Sequence, residues 1–369
     1  MTRSLGHGGT ERQVAQLAQS LDRGLFAPHI ACFDRGGFRE QELANSGVPI
    51  VQTDMHSFIG LDSLRALRRL RSYVQAHGIR LAHTFDHPMN TFGVPAMRIL
   101  RVPVVLSSQR SHRSLIPPKY LPAIRFSDRL VDGIVVNCNF VRDHLVNDYR
   151  VSARKIHVCY NALDTAHFHP APRRRPPELA GASLVIGVIC VLRAIKGVPT
   201  LVEAFSRLYR EQPGLRLLIV GSGPEREPLE RLAASLGVME GCLFRESTSD
   251  VASWLRAIDI FVLPSLSEGL SNSLMEAMAM GCCAVASHVG GNPELVRDGD
   301  TGVLFDAGNP ESLAGRLRTL IDDGQLRSRL AESGARFIAA DFSIARSVGR
   351  IEEIYASFLD RETRVFRKH

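Results

Sequence analysis

The chain has 369 residues, 45% hydrophobic and 22% charged, and its 45 Lys and Arg against 38 Asp and Glu leave a net charge of +7. This is ordinary globular composition, long enough for two core-forming domains. No apolar run reaches the roughly eighteen residues of a membrane span, no charged-then-apolar leader is visible, and aromatics do not interleave with the basic clusters. A spanning helix, a secretory signal and a nucleic-acid partner are therefore not expected, and a cytoplasmic location is.

From Thr10 onward helical and strand patterns alternate. Val14, Leu17, Ala18 and Leu21 predict a helix, and strands follow near 29–33 and 49–52. The run "RALRRLR" (65–71) predicts a helix with Leu64, Leu67 and Val74 inward and Arg65, Arg68 and Arg69 outward. That basic face reads either as a solvated surface or as a patch drawn to anionic lipid head groups. Strands at 79–84, 102–108, 133–137 and 155–160, with a helix near 89–100, complete a doubly wound α/β domain over 1–170.

One feature departs from that pattern. The glycine loop "GHGG" (6–9) should follow a strand, yet only "MTRSL" precedes it. The first strand is missing or barely begun, and the true start is expected upstream. Such a strand is usually central, so losing it exposes two strand edges.

Proline and charge in "PAPRRRPPELAG" then break every periodicity and predict a linker over 171–181. A second α/β series spans 182–345, with strands at 184–192, 215–220, 258–263, 283–287 and 302–305. A helix on Leu201, Ala204, Phe205 and Leu208 belongs to it, and another capped by Asn309 with Pro310 in its first turn. The seven cysteines form no C-x-x-C pair and are expected as buried small hydrophobes.

Chemistry concentrates in "EGLSNSLME" (268–276). The preceding "IDIFVL" suits a strand buried on both faces, and helical spacing resumes at Leu270, Leu274, Ala277 and Met278. Glu268 then sits just before a helix N-terminus and Glu276 on its second turn. A helix N-terminus favours a phosphate, and a carboxylate accepts hydrogen bonds from vicinal hydroxyls, so a nucleotide-sugar suits the pair. The plainer alternative makes Glu268 an electrostatic cap and Glu276 a solvated residue. "GSGPE" (221–225) is a lone G-x-G read as a turn bordering a nucleotide base. Asp298-Gly299-Asp300 sits in a glycine turn and is read as turn chemistry rather than a metal site.

The stretch "LSEGLSNSLMEAMAMGCCAVASHVGGNPELVRDGDTGVLF" resembles the signature of glycosyltransferase family 4, retaining enzymes of GT-B fold with two tandem Rossmann-like domains and a central cleft. "GHGGTERQVAQLA" resembles the family's glycine loop and first helix, including Gly8 and Gly9, and "NALDTAHFHP" (161–170) its exit from the first domain. The closing "FSIARSVGRIEEIYASFL" resembles the last helices, which cross back onto the first domain from about 350 to 369.

The resemblance implies that Glu276 binds the ribose and Glu268 the transferred sugar, while the backbone near Gly269, Leu270 and Ser271 meets the distal phosphate. Gly221 and Glu294 are implied at the donor as well. In "VLRAIKG" (191–197) it implies Lys196 and Arg193 at the departing diphosphate, although the family's arginine is commonly found where Val191 stands. His87 matches a histidine facing sugar and acceptor, although the commoner spacing falls on Phe85. His83 is read as a strand residue satisfied by backbone, and Arg110 as a loop arginine.

These implications make the chain a retaining hexosyltransferase without metal or other cofactor. Its donor is a nucleotide-diphosphate-sugar and its acceptor a glycan or lipid-linked molecule of cell-envelope polysaccharide synthesis, with possible association at the inner face of an anionic plasma membrane. The alternatives are a nucleotide-sugar epimerase or phosphorylase on the same fold, or an inactive truncated homologue.

Overall fold

Short β-branched runs alternating with amphipathic helices can pair in parallel only through crossover connections, and here every ladder is parallel. The computed structural model describes residues 1–6, 8–34, 37–55 and 60–366. It divides into two compact units, Met1–Ala162 together with Ile344–His369, and Leu163–Ser343.

In the first unit β1 (Ile30–Cys32) pairs with β2 (Ile50–Gln52). A separate four-stranded sheet runs β3 (Leu81–Thr84), β4 (Val104–Gln109), β5 (Gly133–Val136), β6 (Ile156–Val158). Met1–Arg3 lie extended between the two sheets. Thr2 N–H donates to the Ala31 carbonyl at 2.9 Å and Phe33 N–H to Arg3 at 3.0 Å, while Phe85 N–H donates to Met1 at 2.8 Å. Three residues thus occupy the central position where a full strand was expected. Helices Gly9–Ser20 and Ile344–Phe366 pack over β4 and β5 through Leu17, Leu21, Val348, Ile351 and Tyr355. The last helix begins at Ile344, ahead of the expected 350; the expected residues 367–369 lie outside the described ones.

The arginine-rich helix runs Leu61–Ala76, but its buried residues are Ala66 and Leu70, and Leu64 is 51% exposed. Leu64–Leu67 and Ala66–Leu70 both satisfy helical spacing, and packing on the sheet rather than the spacing selects between them.

The second unit is one six-stranded sheet. Its strands are β7 (Leu184–Ile189), β8 (Leu215–Val220), β9 (Cys242–Arg245), β10 (Ile260–Leu263), β11 (Cys283–Ser287) and β12 (Val303–Phe305), in the order β12-β11-β10-β7-β8-β9. Chain order reverses between β7 and β10, which makes their C-terminal ends the topological switch point where such sheets bind ligands. The edge strand β9 carries no strong apolar run and was not foreseen. Asn309 caps the helix Pro310–Asp322 by accepting from Glu311 and Ser312 N–H, as its sequence predicts.

The expected linker at 171–181 lies inside this unit. Arg173 donates to the Gly281 carbonyl at 2.6 Å, Arg175 to Asp259 at 2.7 Å, and Leu179 is 1% exposed. Proline and charge gave the correct absence of periodicity. The arginines, however, satisfy helix-end carbonyls and a carboxylate that also accepts Val185 N–H at the start of β7. Arg175→Ala leaves the half-buried Asp259 with only the longer Arg173 contact at 3.8 Å and is expected to lower stability by about 2 kcal/mol in urea melts; a change within about 0.5 kcal/mol, as for a surface arginine, contradicts this role.

Candidate active site

Three loops of the second unit meet at the switch point. The loop after β7 holds a 3-10 turn, Ala194–Lys196, ended by Gly197 at φ 61°. A Cβ on Gly197 would lie 2.1 Å from the Pro264 carbonyl, so only glycine lets the loop after β10 approach this closely. Leu266 N–H donates to Ile195 at 2.8 Å across the same junction. The loop after β11 closes in through Gly290, at φ 58°, whose Cβ would lie 1.9 Å from the Glu268 carbonyl, and through Gly291 N–H, which donates to Gly269 at 2.9 Å.

Between these backbones Lys196 Nζ donates to Glu268 Oε2 at 2.7 Å, and Ser265 Oγ donates to the same oxygen at 3.0 Å. Both charged side chains are largely buried, 22% and 14% exposed, so their attraction is little screened by water. The half-buried Cys190 lies within electrostatic reach of both, but burial pushes its thiol up to about 12 and keeps it protonated at neutral pH.

The helix after this loop runs Asn272–Ala279 with Ser271 as its cap, Oγ accepting from Leu274 N–H at 3.3 Å. Glu268 is therefore not the cap, and Glu276, 4% exposed, is not a solvated residue. The burial of Glu276 overturns that half of the plainer alternative. Arg193 is exposed at the start of the 3-10 turn, and Glu294 is half-buried in the short helix Asn292–Leu295. Gly221 follows β8 and packs on the Cys190 carbonyl, while Ser222 accepts from Leu192 N–H at 3.0 Å, which ties the G-x-G turn to the lysine loop. Asp298 accepts Leu304 N–H at 2.8 Å within a turn closed by Gly299 N–H to Gly302.

In the first unit Gly8 and Gly9 open the helix Gly9–Ser20; His7 lies outside the described residues. His87 starts the helix His87–Ile99, half-buried, its pKa lowered by burial and then by Arg3. His83 is satisfied by side chains rather than by backbone, Nδ1 against Tyr355 Oη at 2.7 Å and Nε2 against Ser108 Oγ at 2.8 Å. Arg110 is not a free loop arginine: it donates to Asn161 Oδ1 and lies over the Phe85 ring at 5.8 Å.

Sequence reasoning missed Asp86. It is the N-cap of the helix His87–Ile99, two residues past β3, at φ 73°, where a non-glycine residue is strained. Burial, then the nearby Glu11, push its carboxyl up to about 6, against a stabilising hydrogen bond from Thr10. An acidic residue two positions past a buried strand and just before a helix start was the available signal.

Two Rossmann-like units, the second with a lysine–glutamate pair at its switch point, define the GT-B class of sugar-transferring enzymes. Residues 7–167 match Glycosyltransferase Family 4 and residues 173–337 match the glycosyl transferases group 1 family. The chain is 31% identical over 252 residues, 65% of its length, to the lipopolysaccharide core biosynthesis glycosyltransferase LpsE of Rhizobium meliloti, covering 72% of that protein. It is 33% identical over 246 residues to a D-inositol 3-phosphate glycosyltransferase of Streptomyces bingchenggensis, with 61% of the chain matched to about half (52%) of that relative. In fold it superposes on Anabaena HepE in complex with UDP with a TM-score of 0.83 at 20% identity, over 96% of this chain and 98% of that one. The chain belongs to the group 1, family 4 glycosyltransferases.

Because the folded pKa of Asp86 exceeds its unfolded value of 3.8, the native state binds the extra proton between about pH 4 and 6. Stability carried by this group therefore falls as pH rises through that window and stays low above it. Asp86→Asn is expected to raise the melting temperature at pH 7.5, with the gain shrinking to nothing below about pH 4; a pH-independent effect or a loss at pH 7.5 contradicts the assignment.

Proposed function

We propose that this glycosyltransferase moves a sugar, with retention, from a nucleotide-diphosphate-sugar to a glycan or lipid-linked acceptor of cell-envelope polysaccharide synthesis. The observation that carries the reading is the Lys196–Glu268 pair at the switch point, followed in the chain by the buried Glu276 on the helix Asn272–Ala279. Glu276 accepts the ribose hydroxyls and Glu268 those of the transferred sugar. The N-terminal turn around Gly269, Leu270 and Ser271 receives the distal phosphate. Lys196, with the exposed Arg193, offsets the charge on the departing diphosphate without a metal ion in this reading. Gly221 and Glu294 border the donor, and His87 with the Gly8–Gly9 turn serves the acceptor side.

Same-face substitution fits the side chains present. The bond from the anomeric carbon to phosphate breaks, the acceptor oxygen bonds to that carbon on the same face, and the acceptor proton passes to the leaving phosphate oxygen. Cys190 stays a thiol and Glu268 is engaged by Lys196 and Ser265, so neither is offered as a nucleophile. The UDP in the HepE complex makes a uridine donor the first to test. No described helix is long and apolar enough to cross a membrane. The exposed Leu61 and Leu64 beside Arg65 and Arg68 support peripheral association with an anionic bilayer, on its cytoplasmic face.

Calorimetric titration with UDP-, GDP- and ADP-glucose tests the donor reading. One of the three is expected to bind, Glu276→Ala to weaken it at least about tenfold, and Lys196→Ala to lower kcat by about 10²-fold or more with a smaller change in KM. Binding of none sinks the transferase reading in favour of an inactive homologue. Phosphate-dependent sugar release, or epimerised donor with no transfer, points instead to a phosphorylase or an epimerase.

A further inference from the structure

The β10–β11 ladder pairs Leu263 with Ala286, and the next step in register would pair Pro264 with Ser287. Proline has no N–H to give, so the ladder stops there. A side chain takes over: Ser287 Oγ donates to the Ser265 carbonyl at 2.6 Å. Asn292 backs this hydroxyl, its Nδ2 donating to the Ser287 carbonyl at 3.0 Å and to Ser287 Oγ at 3.4 Å. Ser265 Oγ in turn donates to Glu268 Oε2 at 3.0 Å. Ser265, Ser287 and Asn292 are each 0% exposed, so a buried line of hydrogen bonds runs from the loop after β11 to the carboxylate.

Stability alone does not account for this line. Asn292 Oδ1 is buried without a partner among the described residues, a cost that an apolar side chain of similar size would avoid. The other end of the line shows what the arrangement does. Glu268 Oε2 has two donors, Lys196 Nζ and Ser265 Oγ. An incoming diphosphate competes for the ammonium, a point charge on a flexible stem. It does not compete for a buried hydroxyl whose own backbone is pinned by Ser287. Ser265 is thus the partner that keeps the carboxylate in place once a donor is bound.

We infer that Ser287 and Asn292 are positioning residues for sugar transfer: through Ser265 they hold the Glu268 carboxylate at the angle that accepts the transferred sugar's hydroxyls. The inference rests on the proposed donor reading, in which Glu268 meets the sugar and Glu276 the ribose. Affinity for the nucleotide is then set elsewhere, and the line acts on the rate. The same loop also fixes the backbone of Glu268, since a Cβ on Gly290 would lie 1.9 Å from its carbonyl oxygen.

The test measures donor hydrolysis with UDP-, GDP- and ADP-glucose, the Kd of the matching diphosphates, and the melting temperature, for the parent chain, Ser287→Ala and Asn292→Leu. Both variants are expected to lower kcat at least about tenfold while the diphosphate Kd stays within about twofold. Asn292→Leu exchanges the orphan Oδ1 for an unpaired Ser287 carbonyl, so its melting temperature should stay within about 2 °C of the parent's. Adding Ser265→Ala to Ser287→Ala should cost no more than the larger single loss, because the two act in series on one carboxylate. Should Ser287→Ala unfold at the assay temperature, Asn292→Leu reads the same line from its far end. A kcat within about twofold of the parent's, or a diphosphate Kd that weakens in proportion to the loss of kcat, overturns the inference alone. A parent chain that binds no diphosphate, or hydrolyses none of the three donors, sinks the donor reading and the inference with it.

Discussion

The hydrogen-bonded ion pair between Lys196 and Glu268 fixes the geometry on which the second unit's chemistry depends. It joins the loop after β7 to the loop after β10 at the point where strand order reverses. Two charges this little exposed are costly to bury, and they persist because the pairing is short and Ser265 completes the carboxylate's hydrogen bonding. Gly197 and Gly290 follow from this. Each removes a side chain where one loop backbone presses on another, so the clamp closes around Glu268 without displacing it.

The first unit is organised around a different constraint. Among the described residues Met1–Arg3 join β1 to β3 across the middle, through a few backbone hydrogen bonds. Helices Gly9–Ser20 and Ile344–Phe366 compensate by packing over β4 and β5 from chain positions far apart, and Tyr355 reaches from the second of them to satisfy the buried His83. Buried polar groups in this unit are thereby linked to the chain's last helix.

Much of this was legible in the sequence. Among the described residues, eleven of the twelve strands fall on runs expected from the sequence, and the Asn309 cap and the helix behind Glu276 follow from local chemistry. The edge strand β9 lacked a pattern because an edge needs few apolar residues, and it shows where periodicity stops informing. The linker over 171–181 was misjudged because composition reports the absence of a helix or strand, not whether an arginine finds a carboxylate across the fold. Leu64 was expected inward and Leu70 is buried instead, since spacing gives two apolar stripes and tertiary packing selects between them. At the site, paired glutamates and the lysine–glycine step were visible as a pattern. The Lys196–Glu268 bond, the burial of Glu276 and the strain at Asp86 were not, because each depends on loops distant in sequence.

Hydrogen exchange with and without UDP tests the central claim most directly, namely that a donor diphosphate is held at the β7–β10 switch point of the second unit. Saturating UDP is expected to protect amides in 191–197 and 269–276 while leaving those of the first unit unchanged. Protection confined to the first unit, or UDP binding that leaves both second-unit segments exchanging at their original rates, would contradict it.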